Sequence, residues 1–302
     1  MPVLGSPWLP VRPVAWDNEV TRRLQAVLQS HQRMTCPSDT ASWLDCVLHE
    51  EPCHNPAATL VWGDGWVDRW TVTRKDAALG DLTSTVARTG TTLFDAAESV
   101  RRMTNRYSQP NRTGIAYMSS TGRHHAFESL TERAVLRLID FGDPWDVVTQ
   151  PFWLRWHDGL RRRKHVPDFL VRGREGTTVV NVRPADLVDP EAEEQFAAMT
   201  AVTHRLGWRH VVVTGFVTPQ ATTVDTLAVA RIKPHDPFGL GVELLQALAQ
   251  APAPFGRLVA GTRAPALARA VLLGMLWRRE AAVNLAVRLS DTSLVRLGTT
   301  RR

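Results

Sequence analysis

The sequence predicts an α/β fold built on a mixed sheet, and three observations carry that expectation. From residue 127 to residue 214 the apolar pattern runs helix, three strands, helix, strand. Two of those strands flank a short Gly173-Arg174-Glu175-Gly176 turn. The 302 residues, 44% of them hydrophobic, suffice to fill the cores of two or three domains.

Taken in order, a proline-spaced start leads to Asp17, which caps a helical pattern through Val20, Leu24, Val27 and Leu28. A second helix is expected from Ser38 through Trp43, Leu44, Val47 and Leu48. Leu60-Val61-Trp62, the turn Gly63-Asp64-Gly65 and the run Trp66 to Val72 spell a hairpin. Residues 1–100 are thus expected to form an N-terminal accessory domain. Residues 101–235 hold the α/β core. It comprises a helix from Phe127 to Phe141, strands at Val147–Trp156, Asp168–Arg172 and Thr177–Arg183, a helix from Asp189 to Leu206, and a strand from Trp208 to Thr214. Pro190 suits the first turn of its helix, where no N–H partner is needed. Residues 236–302 show three short helices, near 238–249, 255–261 and 264–278. Strands at Leu285–Leu289 and Ser293–Leu297 follow, an order that matches a winged-helix domain.

Composition excludes several classes. Charged residues at 22%, with Gly 19 and Pro 19, are ordinary globular usage, unlike a disordered tail, a collagen or a coiled coil. The apolar stretch from Ala264 to Trp277, broken by Pro265 and Arg269, is too short to span a bilayer, so no membrane association is expected. The opening MPVLGSPWLPVRP lacks the pattern of an export signal, and a bacterial cytoplasmic or a nuclear interior is expected. Three cysteines cannot form a disulfide framework and fit free thiols or metal ligands. The net charge of +6 is compatible with a polyanion. All but Lys75, Lys164 and Lys233 of the 36 basic residues are arginine. That bias suits phosphate recognition, and a GC-rich coding sequence gives it equally.

The chemistry concentrates in the hairpin. If it pivots between Arg174 and Glu175, Asp168 faces Asn181 with Cβ atoms about 4.5–5.5 Å apart, and Arg183 lies diagonally about 7–8 Å away on the same face. Glu132 shares a helical stripe with Glu128, Leu136 and Ile139. It is either an upstream metal ligand or part of a solvated rim. Arg161, Arg162, Arg163, Lys164 and His165 lead into Asp168, with Arg172 and Arg174 beyond it. The run either neutralises backbone phosphates or forms a solvated turn. Arg101, Arg102, Arg106, Arg112 and Arg123 could extend it. Cys36, Cys46, His49, Cys53 and His54 follow a C-x9-C-x2-H-x3-C-H order, readable as a structural Zn2+ site or as packed thiols. The tryptophans at 62, 66 and 70 fit a hairpin core better than a stacking platform.

The Pro167-Asp168 and Asn181-Val182-Arg183 segments resemble the PD-(D/E)xK nucleases. The longer order is similar to the TnsA-like endonuclease subunits of heteromeric transposases. It consists of a helix with E-S-L-x-E, Leu138-Ile139-Asp140-Phe141, Gln150-Pro151-Phe152, His165-Val166-Pro167-Asp168-Phe169, Val182-Arg183-Pro184 and Leu206-Gly207-Trp208. The resemblance covers roughly residues 100–232, and the tail more loosely. It implies a restriction-endonuclease-like sheet flanked by helices, and a Mg2+-dependent (or Mn2+-dependent) DNA endonuclease. It further implies double-stranded transposon ends as substrate, with an integrase-type transposase subunit and an AAA+ ATPase regulator as partners. By motif position the catalytic roles fall on Glu132, Asp168, Asn181 and Arg183, and metal ligation on Glu132, Asp168 and Asn181. Two positions depart from the family, which carries Gln and Lys where this chain has Asn181 and Arg183. Asn can still offer a carbonyl oxygen to a hard cation. Arg cannot deprotonate water, so Arg183 would steady phosphate charge instead, with Lys164 or His165 as helpers. A catalytically impaired DNA-binding or scaffolding subunit is the alternative. In the family the tail engages the ATPase, whereas a winged helix commonly enters a DNA groove, and Arg278 and Arg279 could serve either.

Overall fold

The computed structural model describes residues 35–51, 66–90, 97–101, 112–157 and 161–299. The Asp17 helix, the first strand of the 60–72 hairpin, Arg102, Arg106, Cys53 and His54 lie outside them. The chain is mixed α/β and divides into two compact units: residues 48–215, and residues 1–47 together with 216–302.

In the 48–215 unit the elements are β1 (Val47–Glu50), α1 (Trp66–Arg69), β2 (Thr71–Asp76), β3 (Gly80–Thr85), β4 (Ala97–Glu98), β5 (Gly114–Met118), β6 (Arg123–Phe127) and α2 (Leu130–Phe141). There follow β7 (Asp146–Thr149), β8 (Phe152–His157), β9 (Arg162–His165), β10 (Phe169–Gly173), β11 (Gly176–Val182), α3 (Pro190–Leu206) and β12 (Arg209–Phe216). The main sheet has the order β1-β12-β11-β10-β7. Within it β10 pairs antiparallel with both β7 and β11, while β11 and β12 pair in parallel, joined through helix α3. The β10–β11 register places Phe169 opposite Val180 and Gly173 opposite Gly176, the pairing expected from a pivot between Arg174 and Glu175.

Helix α2 starts where Ser129 accepts the Glu132 N–H, and α3 where Asp189 accepts the Ala192 N–H, each meeting one of the donors a helix start leaves over. Helix α3 ends at Gly207 with φ 70°, a left-handed turn that glycine adopts without strain. Alternation sorts the sheet into two faces. Leu170 and Val179 join Ala198, Met199 and Val202 of α3 in a core that also takes in Val72, Leu154 and Trp156 of β2 and β8. Val180 and Phe169 point the other way, and α2 packs against β11. The wholly buried side chains Leu136, Leu138, Ile139 and Phe141 of α2 each contribute about 1.5–3 kcal/mol. Asp140, buried among them, accepts the Ser119 and Ser120 N–H groups at 3.0 and 2.8 Å and so ties the β5–β6 hairpin to the helix.

Three expectations are corrected here. Val147–Trp156 is not one strand. Gln150 takes a positive φ of 48° ahead of Pro151, which ends β7 and sends β8 into a second sheet of order β3-β2-β8-β9, with β4 on β2. Residues 66–69 are helical, and strand structure begins only at Thr71. The charged run at 162–165 is a strand, because its backbone pairs with β8, Arg163 reaches Glu194 at 2.8 Å, and Lys164 stays in solvent.

The second unit contains α4 (Thr218–Leu227), α5 (Leu240–Gln250), β13 (Ala253–Pro254), α6 (Phe255–Ala260), α7 (Pro265–Trp277), β14 (Ala281–Ala282) and β15 (Leu294–Leu297), with a sheet of order β13-β15-β14. Leu285–Leu289 is not a strand; β15 pairs instead with the short β14. The helix expected from Ser38 to Leu48 reduces to one 3-10 turn at Trp43–Cys46, held by a reciprocal Ser42–Asp45 capping box. Residues 36–38 pair with 283–285: the Ser38 N–H donates to the Val283 carbonyl at 2.8 Å and the Leu285 N–H to the Cys36 carbonyl at 2.7 Å. Among the described residues, no helix is long and apolar enough to cross a membrane.

Candidate active site

Asp168 sits in the bend just before β10. Its backbone N–H donates to the Val180 carbonyl at 3.1 Å and its carbonyl accepts the Gln150 N–H at 2.8 Å, so the turn is fixed from both neighbouring strands. Its carboxylate accepts the Val182 N–H at 2.6 Å. Burial, and then the negative charge of Glu132, push this carboxyl up to about 8, with Glu128 adding in the same direction. Burial likewise raises the Glu132 carboxyl, against the bonds from Glu128 and Ser129. The two carboxylates, one from α2 and one from the start of β10, therefore bear on each other across the end of the main sheet, an arrangement in which like charges cannot both ionise freely.

Glu132 is held by the local turn. Its carboxylate accepts the Glu128 N–H at 2.7 Å and the Ser129 hydroxyl at 2.9 Å, a variant of the box that caps helix starts. This explains its orientation without any ligand, yet each carboxylate oxygen keeps a second lone pair. Two carboxylates plus substrate phosphate are a common donor set for Mg2+, and on that chemistry the residues fit a hard divalent ion. Among the described residues, no group of three or more His, Cys, Asp or Glu forms a ready-made metal cluster.

Asn181 and Arg183 have other partners. Asn181 is buried, with Nδ2 at 2.6 Å from His165 Nε2 and Oδ1 at 3.2 Å from His210 Nε2; His210 Nδ1 is 2.8 Å from the Thr200 hydroxyl. Burial lowers His165 to about 4 and His210 to about 3, so both rings are neutral. A neutral ring has one donor and one acceptor. Thr200 gives its one hydroxyl proton to the Phe196 carbonyl at 2.9 Å and so accepts from His210 Nδ1–H, while the His165 and His210 rings flank the Asn181 amide on its two sides. Arg183 is half-exposed; it donates to the Leu187 carbonyl at 2.7 Å and pairs with Asp189 at 3.3 Å. The hydrogen bonds of Asp168 and of Asn181 thus belong to separate networks.

The basic residues divide similarly. Arg161, Arg162, Lys164 and Arg174 are exposed, whereas Arg163 pairs with Glu194 and Arg172 with Asp146 at 2.6 Å. Arg101, expected only to extend the basic surface, bears on the carboxylates themselves. It lies 5.0 Å from the Trp153 ring, donates to Glu128 at 3.5 Å, and its charge favours ionisation of both Glu132 and Asp168. Lys164 and Arg155 also lie over Trp153, at 5.2 and 5.7 Å. Arg101 precedes Asp168 by far too much sequence for spacing to reveal it.

Of the cysteine and histidine set, burial pushes the Cys36 thiol up to about 11 and raises Cys46 as well, so both are protonated at neutral pH. Neither forms a disulfide.

One stability consequence follows from the histidines. His125, His165 and His210 are all held below the usual imidazole range by burial. Below about pH 6.5 the unfolded chain binds protons that the folded chain does not, so stability falls with falling pH down to about pH 4. A thermal melt series from pH 7 to pH 4.5 should show a steadily dropping midpoint; a flat profile would contradict the burial of these rings.

The sequence matches no known protein-family model and no curated protein.

Proposed function

We propose that this chain is a metal-dependent DNA endonuclease of restriction-endonuclease-like fold, acting as the end-cutting subunit of a heteromeric transposase. The observation that carries the reading is the negative charge of Glu132 acting on the Asp168 carboxyl at the start of β10, which a basic strand runs straight into. Support for the fold comes from the order helix α2, hairpin β10–β11, helix α3 and parallel strand β12. The motif order around His165-Val166-Pro167-Asp168-Phe169 supports the transposase setting, with an integrase-type partner and an AAA+ ATPase. The three helices and small sheet of the tail support a winged-helix reading there.

In this mechanism Glu132 and Asp168 supply the oxygens that hold Mg2+ or Mn2+. Such an ion, when bound, polarises a phosphoryl oxygen and lowers the pKa of its water. The Glu128 and Val182 N–H groups and the Ser129 hydroxyl keep the two carboxylates oriented. Arg162 and Lys164 hold backbone phosphates by charge, which makes binding fall with salt. Arg101 offsets the surplus negative charge of the carboxylate pair.

A second reading, a nuclease-fold subunit that binds DNA without cutting it, is favoured by the pairing of Arg183 with Asp189 and of Asn181 with two imidazoles. The two readings part on one experiment. With its transposase partner and Mg2+, the protein should nick transposon-end DNA, and Asp168→Ala should not. Equal behaviour of the two proteins selects the binding subunit. Under the cutting mechanism Arg183→Ala should slow cleavage less than about tenfold, because its guanidinium faces Asp189; a loss of about 10²-fold or more would return Arg183 to the transition state.

A further inference from the structure

The 48–215 unit carries a cleft of about 730 Å³ at the end of the β8–β9 hairpin, lined by neither Glu132 nor Asp168. Trp66, Trp70 and Trp156 form its aromatic part, and Arg69, Arg155, Arg162 and Lys164 its rim. Arg163 also lines it, already paired with Glu194. Among the described residues no carboxylate lines it.

Trp70 and Trp156 are almost fully buried, with ring centroids 6.1 Å apart, and belong to the core that holds β2 and β8 on helix α3. Trp66, from α1, is only partly buried and lines the cleft. The volume falls within the roughly 300–1,000 Å³ of small concave sites. A cleft of that size walled by cations and a partly buried tryptophan matches a phosphate backbone with its bases turned inward. A duplex hides its base faces, whereas an unpaired strand offers them for stacking.

We propose that this cleft binds a segment of single-stranded DNA, with phosphates on Arg69, Arg162 and Lys164 and a base stacked on Trp66. The inference rests on the nuclease reading, which gives Arg162 and Lys164 to backbone phosphate as well: strand β9 runs from the cleft toward the Asp168 bend, so a strand freed near the cut would be held on the same unit.

The test is fluorescence anisotropy of the full chain with a labelled oligothymidylate of about 15 nucleotides, and with a duplex of equal length, across a salt series. The single strand should bind more tightly than the duplex. Trp66→Ala should weaken it about tenfold and Trp66→Phe should restore most of the loss. Arg162→Ala with Lys164→Ala should weaken it at least as much and reduce the salt slope by about 1.4, the value for two phosphate contacts. Thermal melts verify that Trp66→Ala folds; if it does not, the two charge substitutions decide alone. Unchanged binding in the variants, tighter binding of the duplex, or equal competition by polyglutamate would overturn the proposal. If the charge variants lose the single strand while the wild type cuts no DNA, the cleft stands and the nuclease reading falls. If the wild type cuts and these variants bind as it does, the reverse holds.

Discussion

Asp168→Asn is expected to lower Mg2+-dependent strand cleavage by about 10³-fold or more, the effect of losing several kcal/mol of charge stabilisation at the phosphoryl group. The substitution keeps the shape of the side chain and its acceptance of the Val182 N–H while removing the charge. It also relieves the repulsion between positions 168 and 132. In the folded protein without metal, Asp168 binds a proton up to about pH 8, whereas the unfolded chain releases it near pH 4. The folded state therefore holds more protons across that window, and stability falls as pH rises through it. Together with the acid limb set by the histidines, this puts maximal stability near pH 6–7. At pH 8 Asp168→Asn should melt above the wild type by a few degrees, about 2–4 °C for each kcal/mol relieved, and saturating Mg2+ should close most of that gap. Cleavage lost without this alkaline stabilisation would indicate that the two carboxylates do not interact.

Arg296→Ala is expected to destabilise the unit formed by the two ends of the chain by about 2–4 kcal/mol. Asp39 has no solvent-exposed side-chain surface and accepts from Arg296 at 2.7 and 3.0 Å, from the Thr299 N–H at 2.8 Å and from the Thr299 hydroxyl at 2.6 Å. Burial works to raise this carboxyl, and the bonds from Arg296 and Thr299 outweigh it, leaving it below the usual range. Removing the guanidinium strands a buried charge. The estimate lies toward the lower end for a buried pair because the Arg296 side chain is 37% exposed. Urea unfolding should show the lowered midpoint with an unchanged slope, and Asp39→Asn in the same background should recover part of the loss. A change below about 0.5 kcal/mol would mean the pair contributes no more than an open surface bridge.

Where the local sequence specified both an element and its ends, the fold was legible. Gly173 to Gly176 with alternating flanks set the β10–β11 register and Asp189 marked the start of α3, whereas the helix expected from Phe127 begins only at Leu130, because Phe127 still pairs as the last residue of β6. Reading failed where tertiary pairing overrode local pattern. Trp43, Leu44, Val47 and Leu48 are spaced like a helix, but Val47–Glu50 is drawn out as an edge strand against β12. The run at 162–165 is too charged to read as a strand, and only its pairing with β8 makes it one.

The site divides along the same line. Asp168 and its basic approach were visible as a continuous motif. The partners that orient Asn181 were not, because His210 comes from the parallel neighbour β12, and Thr200 and His165 are set by helix packing and by β9. Arg101 reaches the carboxylates only through its place beside Trp153, a long-range contact with no local signal.

Titration of the full chain with Mn2+, followed by the loss of the free ion's paramagnetic resonance signal, bears most directly on the joining of Glu132 and Asp168 about one ion. The wild type should bind a single ion at neutral pH, and Glu132→Gln and Asp168→Asn should each weaken it by about tenfold or more. Equal Mn2+ uptake by all three proteins, or none by the wild type even with DNA present, would contradict it.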